Sequence, residues 1–215
     1  MNPAQGFDRL AGLYRGLELL AFGRELERAR FALLPQLQYC RHILVLGDGD
    51  GRGLQQLVAL NPTAEYDCLD LSPVMLSHAR QRLAATPHNI RFQEADILTA
   101  TLPDRHFDAV VTCFFLDCFD ADTAAGVVAI IAASLAPDAR WLWADFAVPA
   151  HGPARARARL WLATLYFFFR WQTGIKARTL PPSEALIAAA GFAPIATASR
   201  QWGLLRSVVF QATAA

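Results

Sequence analysis

The sequence lacks the features of a secreted or membrane-spanning chain. Its 215 residues include four cysteines, no two of which form a Cys-x-x-Cys pair, and this argues against a disulfide framework and against a zinc ribbon. No uncharged apolar run reaches the roughly eighteen residues of a membrane span. Residues 1–10 include Asp8 and Arg9, where a signal peptide needs an apolar core. We therefore expect a cytoplasmic protein with reduced cysteines and no metal site.

Charged residues are also scarce. They make up 18% of the chain and leave a net charge of +1, which gives no general attraction to nucleic acid. Hydrophobic residues make up 54%, a share that suits a parallel sheet buried between helices. A chain of this length forms one α/β domain. We divide it into an N-terminal helical cap at 1–38, a core at 40–149, and a C-terminal region at 150–215 with a long helix and a terminal hairpin.

Glycine is concentrated in one loop. It occupies every second position of residues 47–53, directly after the apolar run 43–46, and Leu54, Leu57 and Leu60 follow at helical spacing. The pattern predicts a strand, a glycine turn and a helix. Alternating glycines remove Cβ atoms and permit the positive φ angles of a tight turn. A nucleotide-like ligand can therefore lie against this loop.

Apolar runs separated by helical periodicity predict a doubly wound, mainly parallel sheet with right-handed crossovers. The predicted strands are 42–47, 65–70, 90–93, 107–115 and 140–146, followed by an antiparallel hairpin at 192–199 and 204–211. The predicted helices are two within 7–34, one that Ser72 caps, and others at 122–135, 155–171 and 184–190, the last capped by Ser183.

Acidic residues recur where the predicted strands end, and they are Asp48, Asp50, Asp70, Asp96 and Asp117. Ligands of such sheets bind at the carboxyl ends of the strands. Asp70 lies nineteen residues beyond Gly51, where its carboxylate can accept hydrogen bonds from a ribose. These positions together predict one ligand site at one edge of the sheet.

With these motifs the sequence resembles the class I, Rossmann-like S-adenosylmethionine-dependent methyltransferases, and in particular their small-molecule and quinone members. Residues 47–51 match the family's GxGxG loop, Ala95 to Ile97 match its Ala-Asp-aliphatic segment, and residues 7–14 match an F/Y-D-x-x-A-x-x-Y stretch of quinone enzymes. The resemblance implies about seven strands in the order 3-2-1-4-5-7-6, with an antiparallel strand from the C-terminal hairpin.

The resemblance also implies a set of cofactor-binding residues for S-adenosylmethionine. The glycine loop would hold the methionine end of the cofactor, and Asp70 and Leu71 would bind its ribose. Met75 and Asp96 would contact its adenine. The full set is Gly47, Asp48, Gly49, Gly51, Asp70, Leu71, Met75, Asp96, Ile97 and Cys113. One position departs from the family pattern, since Val45 stands where an acidic residue is usual. Asp48 or Asp50 is expected to take over its contact to the cofactor's amino group.

Other ligands and roles stay open. An NAD-binding GxGxxG fingerprint requires a third glycine at position 52, which is Arg52, so an NAD-dependent oxidoreductase is the weaker reading. Aminopropyl transfer from a related cofactor is a further alternative function, and the sequence favours it less. Val45 and the lack of an obvious base also leave a non-catalytic binding or assembly protein of the same fold.

The acceptor is expected to be a small, hydrophobic or aromatic molecule. Transfer from a sulfonium is an in-line displacement that needs alignment more than covalent help. No proline follows the fourth strand at 114–119, unlike in enzymes that methylate nucleobase amino groups, and an oxygen nucleophile is slightly favoured. Asp117 and His151 are the candidate catalytic groups, as acceptor-orienting or proton-accepting side chains.

The stretch 155–171 is the other unusual segment. It begins with Arg155, Arg157 and Arg159 and becomes apolar on all sides. Such a helix is buried, contacts a partner copy, lines an acceptor pocket or touches lipid. Its apolar part is too short to span a bilayer, so a membrane contact would be peripheral. The oligomeric state is left open.

Overall fold

The computed structural model describes residues 23–86, 89–173 and 179–213, with the backbone alone over 165–173. The predicted helix within 7–22 and the motif at 7–14 lie outside these residues. Within the described part, the sheet contains seven strands in the order β3-β2-β1-β4-β5-β7-β6. The predicted fold class and strand order are therefore confirmed.

Strands β1 to β5 are parallel, and β7 runs antiparallel to both β5 and β6. The strands are β1 (His42–Leu46), β2 (Glu65–Asp70), β3 (Ile90–Glu94), β4 (Phe107–Cys113), β5 (Leu135–Phe146), β6 (Phe192–Arg200) and β7 (Leu205–Ala212). The helices are α1 (Glu25–Phe31), α2 (Arg52–Leu60), α3 (Pro73–Leu83), α4 (Ala121–Ser134), α5 (Gly152–Thr173) and α6 (Ser183–Ala189). Short 3₁₀ turns occupy Leu34–Leu37, Leu116–Cys118 and Gln201–Gly203.

Both faces of β1 are buried, which explains its continuous apolar run. Ile43 and Val45 pack with Leu54 of α2 on one face. Leu44 and Leu46 pack with α4 on the other face. Burial on both sides is the mark of a central parallel strand, and it fixes the glycine loop at the middle of the sheet.

Local capping sets where two helices begin. The Ser72 hydroxyl accepts a hydrogen bond from the Met75 amide at 3.1 Å, with Pro73 in the first helical position. The Asp120 carboxylate accepts one from the Thr123 amide at 2.9 Å. Caps of this kind are each worth about 1 kcal/mol. The predicted cap at Ser72 is confirmed.

Three predicted boundaries are wrong. Strand β4 ends at Cys113, not at residue 115, because Phe114 takes a left-handed φ of 54° that breaks the strand. Strand β5 begins at Leu135 rather than at residue 140, and its pairing with β4 shifts register. Ser183 does not cap α6: it is the buried first residue of the helix, and no side chain caps that end.

The described side chains of α5, up to residue 164, include two buried ones on the same face of the helix. Ala158 and Leu162 are buried against Leu26 and Ala29 of α1 and against Leu205. In the described portion of the chain, no helix is both long enough and apolar enough to cross a bilayer.

Candidate active site

The five parallel strands end at the same edge of the sheet, and an acidic residue stands at or just beyond each end. These residues are Asp48 after β1, Asp70 at the end of β2, Asp96 after β3, Asp117 after β4 and Asp145 near the end of β5. Four of the five are sequence candidates. The candidate active site is this carboxyl edge together with the glycine loop.

The glycine loop needs its glycines for three different reasons. Gly47, Gly49 and Gly51 have φ values of 63°, 68° and 81°, which L side chains rarely adopt. A Cβ on Gly51 would lie 2.8 Å from the backbone of Ala79, and one on Gly47 would lie 2.6 Å from the Phe115 ring. At Gly49 the nearest atom to such a Cβ is the Met75 sulfur, at 3.8 Å. Gly49 is thus the point where the loop backbone is open to a ligand.

Asp70 connects the glycine loop to the turn before α3. Its Oδ2 accepts a hydrogen bond from the Gly49 amide at 3.2 Å, and its Oδ1 accepts one from the Ser72 amide at 2.9 Å. These two backbone contacts fix the orientation of the carboxylate at the end of β2. Leu71 is partly buried in the same turn, and Met75 is buried on α3.

Asp48 points into the protein at the start of α2. Its Oδ2 accepts a hydrogen bond from the Leu54 amide at 2.9 Å, and a Cβ on Gly53 would lie only 2.2 Å from its other oxygen. Burial raises the pKa of the Asp48 carboxyl to about 6, against the opposing positive charge of Arg30. The fourth glycine of the loop therefore makes room for a buried carboxyl group.

Asp50 and Val45 are placed differently from Asp48. Asp50 contacts Arg52 Nε and an Arg82 guanidinium nitrogen, each at 3.0 Å, and its backbone carbonyl accepts a further bond from Arg82. Val45 is 1% exposed in the core, where an acidic side chain would be buried. Asp50 therefore has a structural role, because its carboxylate forms ion pairs with both Arg52 and Arg82.

Asp96 forms a local turn after β3. Its Oδ1 accepts a hydrogen bond from the Leu98 amide at 3.0 Å, and the Ala95 amide donates to the carbonyl of Asp70 at 3.2 Å. Ile97 is buried. The adenine-side candidates therefore lie next to the strand that carries Asp70.

The carboxyl group of Asp145 lies against the backbone of Asp117, at the ends of the neighbouring strands β5 and β4. Asp145 is 1% exposed, and its two oxygens accept hydrogen bonds from the amides of Asp117 and Phe146 at 3.2 and 2.8 Å. Burial raises the pKa of Asp117 to about 6. Burial, with the negative charge of Asp117, raises the pKa of Asp145 well above its ordinary value. Asp145 is not among the residues predicted from the sequence, where its signal is a lone acidic residue within an apolar strand.

Arg30 supplies positive charge to this acidic edge. It is 7% exposed on α1, and its guanidinium carbon lies 5.3 Å from the centre of the Phe114 ring. Its charge opposes the rise in pKa at Asp48, Asp117 and Cys113. Arg30 is also not among the predicted residues, although it falls four residues after Leu26 on an otherwise apolar helix face.

The two remaining candidates, Cys113 and His151, differ in their exposure to solvent. Cys113 is buried at the end of β4, and burial raises the pKa of its thiol to about 12, so the thiol is unreactive. His151 is exposed directly before α5. A cavity of about 240 Å³ opens beside it, lined by residues 147–150, Glu184, Ser199, Gly203 and Arg206.

A family model described as "Methyltransferase domain" matches residues 43–138. A demethylmenaquinone methyltransferase of Thermus thermophilus is 35% identical over 149 residues, 68% of this chain and 66% of that protein. A demethylmenaquinone methyltransferase of Deinococcus radiodurans is 35% identical over 121 residues, 56% of this chain and 49% of that protein. The chain thus spans about two thirds and about half of the two relatives.

Solved structures share the fold at lower identity. The S-adenosylmethionine-dependent methyltransferase SibL, in its apo form, superposes with a TM-score of 0.70 at 20% identity, covering 93% of this chain and 57% of SibL. The 1,6-didemethyltoxoflavin-N1-methyltransferase of Burkholderia thailandensis gives 0.68 at 18% identity, covering 98% and 88%. The strand order, the glycine loop and these similarities agree with the predicted family and its methyl donor: the chain belongs to the class I, Rossmann-like S-adenosylmethionine-dependent methyltransferases.

Proposed function

We propose that this protein transfers a methyl group from S-adenosylmethionine to a small hydrophobic or aromatic acceptor, with a demethylated quinone as the first candidate. The observation that carries the proposal is the hydrogen bond between the Gly49 amide and the Asp70 carboxylate, because it joins the family's glycine loop and its acidic residue in one site. The names of the two relatives support a quinone-type acceptor.

The residues at the carboxyl edge fit the cofactor. The loop is open at Gly49, and the surrounding carboxylates complement ribose hydroxyls and a cationic sulfonium. We assign the methionine end to Gly47, Asp48, Gly49 and Gly51, the ribose to Asp70 and Leu71, the adenine to Met75, Asp96 and Ile97, and the floor of the site to Cys113. When bound, S-adenosylmethionine supplies an electrophilic methyl group.

The chain's own part is alignment and exclusion of water. Phe114 packs edge-on against Phe146, and Phe115 against Phe119, each with ring centres 5.3 Å apart. Phe114, Phe115 and Phe119 follow β4 and Phe146 ends β5, and the Phe115 ring lies against Gly47 of the glycine loop. An apolar wall at this position favours a hydrophobic acceptor, and holding two reactants in line supplies much of the rate enhancement of a displacement reaction.

We assign proton acceptance to Asp117. Its pKa of about 6 leaves the carboxylate largely ionised at neutral pH while keeping its proton affinity close to the working range, which is the useful range for a general base. This role fits an oxygen nucleophile whose proton must leave. Asp145 holds the Asp117 backbone and acts as a positioning residue. His151 is the second candidate, because it is exposed near the same edge.

We further propose that residues 1–38, 40–149 and 150–215 act as cap, cofactor core and acceptor side of one domain, and that the protein works in a reducing, cytoplasmic environment. All four cysteines are free, and three of them are buried.

Turnover tests the proposal directly. Mass spectrometry would follow methylation of demethylmenaquinone, a phenol and an aromatic amine by the wild type, Asp117→Asn and Asp120→Asn. We expect product from the quinone or the phenol, and a kcat at least tenfold lower for Asp117→Asn with an unchanged donor KM. Asp120→Asn is the control, because asparagine also caps helices. Donor binding without product from any acceptor would favour a non-catalytic module.

A further inference from the structure

Charge is unevenly distributed along the chain. The 38 residues from 146 to 183 contain six Lys or Arg residues and no Asp or Glu. The rest of the chain has 14 Lys or Arg residues against all 19 acidic ones, a net charge of −5. We call residues 146–183 the basic segment, whose cations are Arg155, Arg157, Arg159, Arg170, Lys176 and Arg178.

The described part of the basic segment presents apolar side chains to solvent beside its arginines. On α5, Arg155 and Arg159 are exposed, Leu160 is 71% exposed and Trp161 is 36% exposed. Leu162 is buried against α1, which fixes the face that α5 turns outward. The outward face therefore combines cations with a large aliphatic side chain, as interfacial helices do.

A tryptophan from another element extends this surface. Trp202, in the turn between β6 and β7, is 78% exposed and has a φ of 57°. The Arg157 guanidinium lies 4.7 Å from the centre of the Trp202 ring and donates to the carbonyl of Gln201. Arg157 thus holds the turn against α5. Tryptophan side chains are enriched at the boundary between water and lipid.

We propose that this face, with Arg155, Arg159, Leu160 and Trp202 at its centre, docks the protein peripherally on a bilayer that contains anionic lipid. Arginines pair with the negative headgroups, and the exposed leucine and indole enter the boundary region. Exposed apolar side chains among the cations favour lipid over nucleic acid. The net negative charge of the remaining chain also opposes a polyanion that would extend beyond the segment.

The docking face borders the candidate active site. Strand β5 carries Asp145 and ends at Phe146, which packs against Phe114 and against the hydrophobic cluster that includes Ala158 and Leu162 of α5. A hydrophobic acceptor dissolved in the bilayer would therefore approach the carboxyl edge from the docked side. This acceptor route rests on the proposed function, whereas docking itself does not require it.

Vesicle co-sedimentation of the full chain tests the docking. Each basic residue near an anionic surface contributes about a fivefold gain in partitioning. Arg155→Gln with Arg159→Gln is therefore expected to weaken binding to vesicles of phosphatidylcholine with about one third phosphatidylserine by about 25-fold. Leu160→Ser is expected to weaken it about threefold or more while keeping the salt dependence. Pure phosphatidylcholine vesicles should bind far less of the wild type.

Arg41→Gln with Arg105→Gln is the matched control, because these exposed arginines precede β1 and β4 at the opposite edge of the sheet. The control should bind within twofold of the wild type. Equal binding by the two double variants, or binding of a single-stranded oligonucleotide in place of vesicles, would overturn the proposal. Methylation of a short-chain, water-soluble quinone without vesicles reports on the proposed function separately.

Discussion

The carboxyl edge and the basic segment differ in charge and in how that charge is held. Backbone amides fix the edge carboxylates: Leu54 donates to Asp48, Gly49 to Asp70 and Phe146 to Asp145. On the basic segment, Arg155 and Arg159 are exposed, although the Arg155 guanidinium also donates to the carbonyl of Ala150 at 3.1 Å. Fixed acids suit a small cationic ligand whose atoms must be placed, whereas exposed arginines suit a broad anionic surface. The difference fits our proposals that the carboxyl edge binds the cofactor and that the basic segment docks on a bilayer.

The largest expected effect is a loss of folding stability when the glycine loop at the carboxyl edge is altered. Gly51→Ala would force an L side chain to a φ of 81° and bring its Cβ to 2.8 Å from the Ala79 backbone. We expect the free energy of unfolding to fall by about 3 kcal/mol, measured by urea denaturation. Gly126→Ala is the control, since this glycine lies in α4 with open space around it. The control should gain up to about 1 kcal/mol, and equal losses in both variants would contradict the assigned strain.

The next effect separates cofactor binding from folding. Asp70→Ala removes a charged acceptor whose hydrogen bonds are worth about 1.5–3 kcal/mol each, so donor affinity should fall at least tenfold by calorimetry. Asp67→Ala, three residues earlier on the same strand and near Arg91, should leave that affinity within twofold. An unchanged affinity in Asp70→Ala would reject the ribose assignment.

A smaller effect concerns pH. The pKa of Asp48, about 6 in the folded protein, lies above its ordinary value of 3.8. The folded state therefore keeps a proton that the unfolded chain has released, and stability falls as pH rises from about 4 to about 6. Asp117 acts in the same direction. Asp48→Asn keeps an oxygen for the Leu54 amide and should remove about 1 kcal/mol of this loss, measured by urea denaturation at pH 4.5 and 7.5. An equally steep pH dependence in the variant would contradict the buried charge.

The smallest expected effect is that of the basic segment on donor affinity at the carboxyl edge. Arg155→Gln with Arg159→Gln should change donor affinity by less than twofold, because both side chains are exposed outside the glycine loop and water and salt screen their charges. Calorimetry with the same donor measures it. A tenfold change would show that the basic segment also takes part in cofactor binding.

Local patterns predicted the strands and the glycine loop, and the resemblance to the methyltransferase family supplied the strand order. Burial on both faces of β1 requires a continuous apolar run, and positive φ values require glycine. Local patterns missed Arg30 and Asp145 because a buried charge is recognised by partners distant in sequence, such as Phe114 for Arg30. They extended β4 through Phe114 because hydrophobicity does not reveal a left-handed backbone.

The central claim is that the glycine loop and Asp70 form a binding site for S-adenosylmethionine. Isothermal titration of the wild type with S-adenosylmethionine and with NAD under the same conditions tests this most directly. We expect saturable binding of S-adenosylmethionine and no measurable binding of NAD. Tight binding of NAD without binding of S-adenosylmethionine would contradict it.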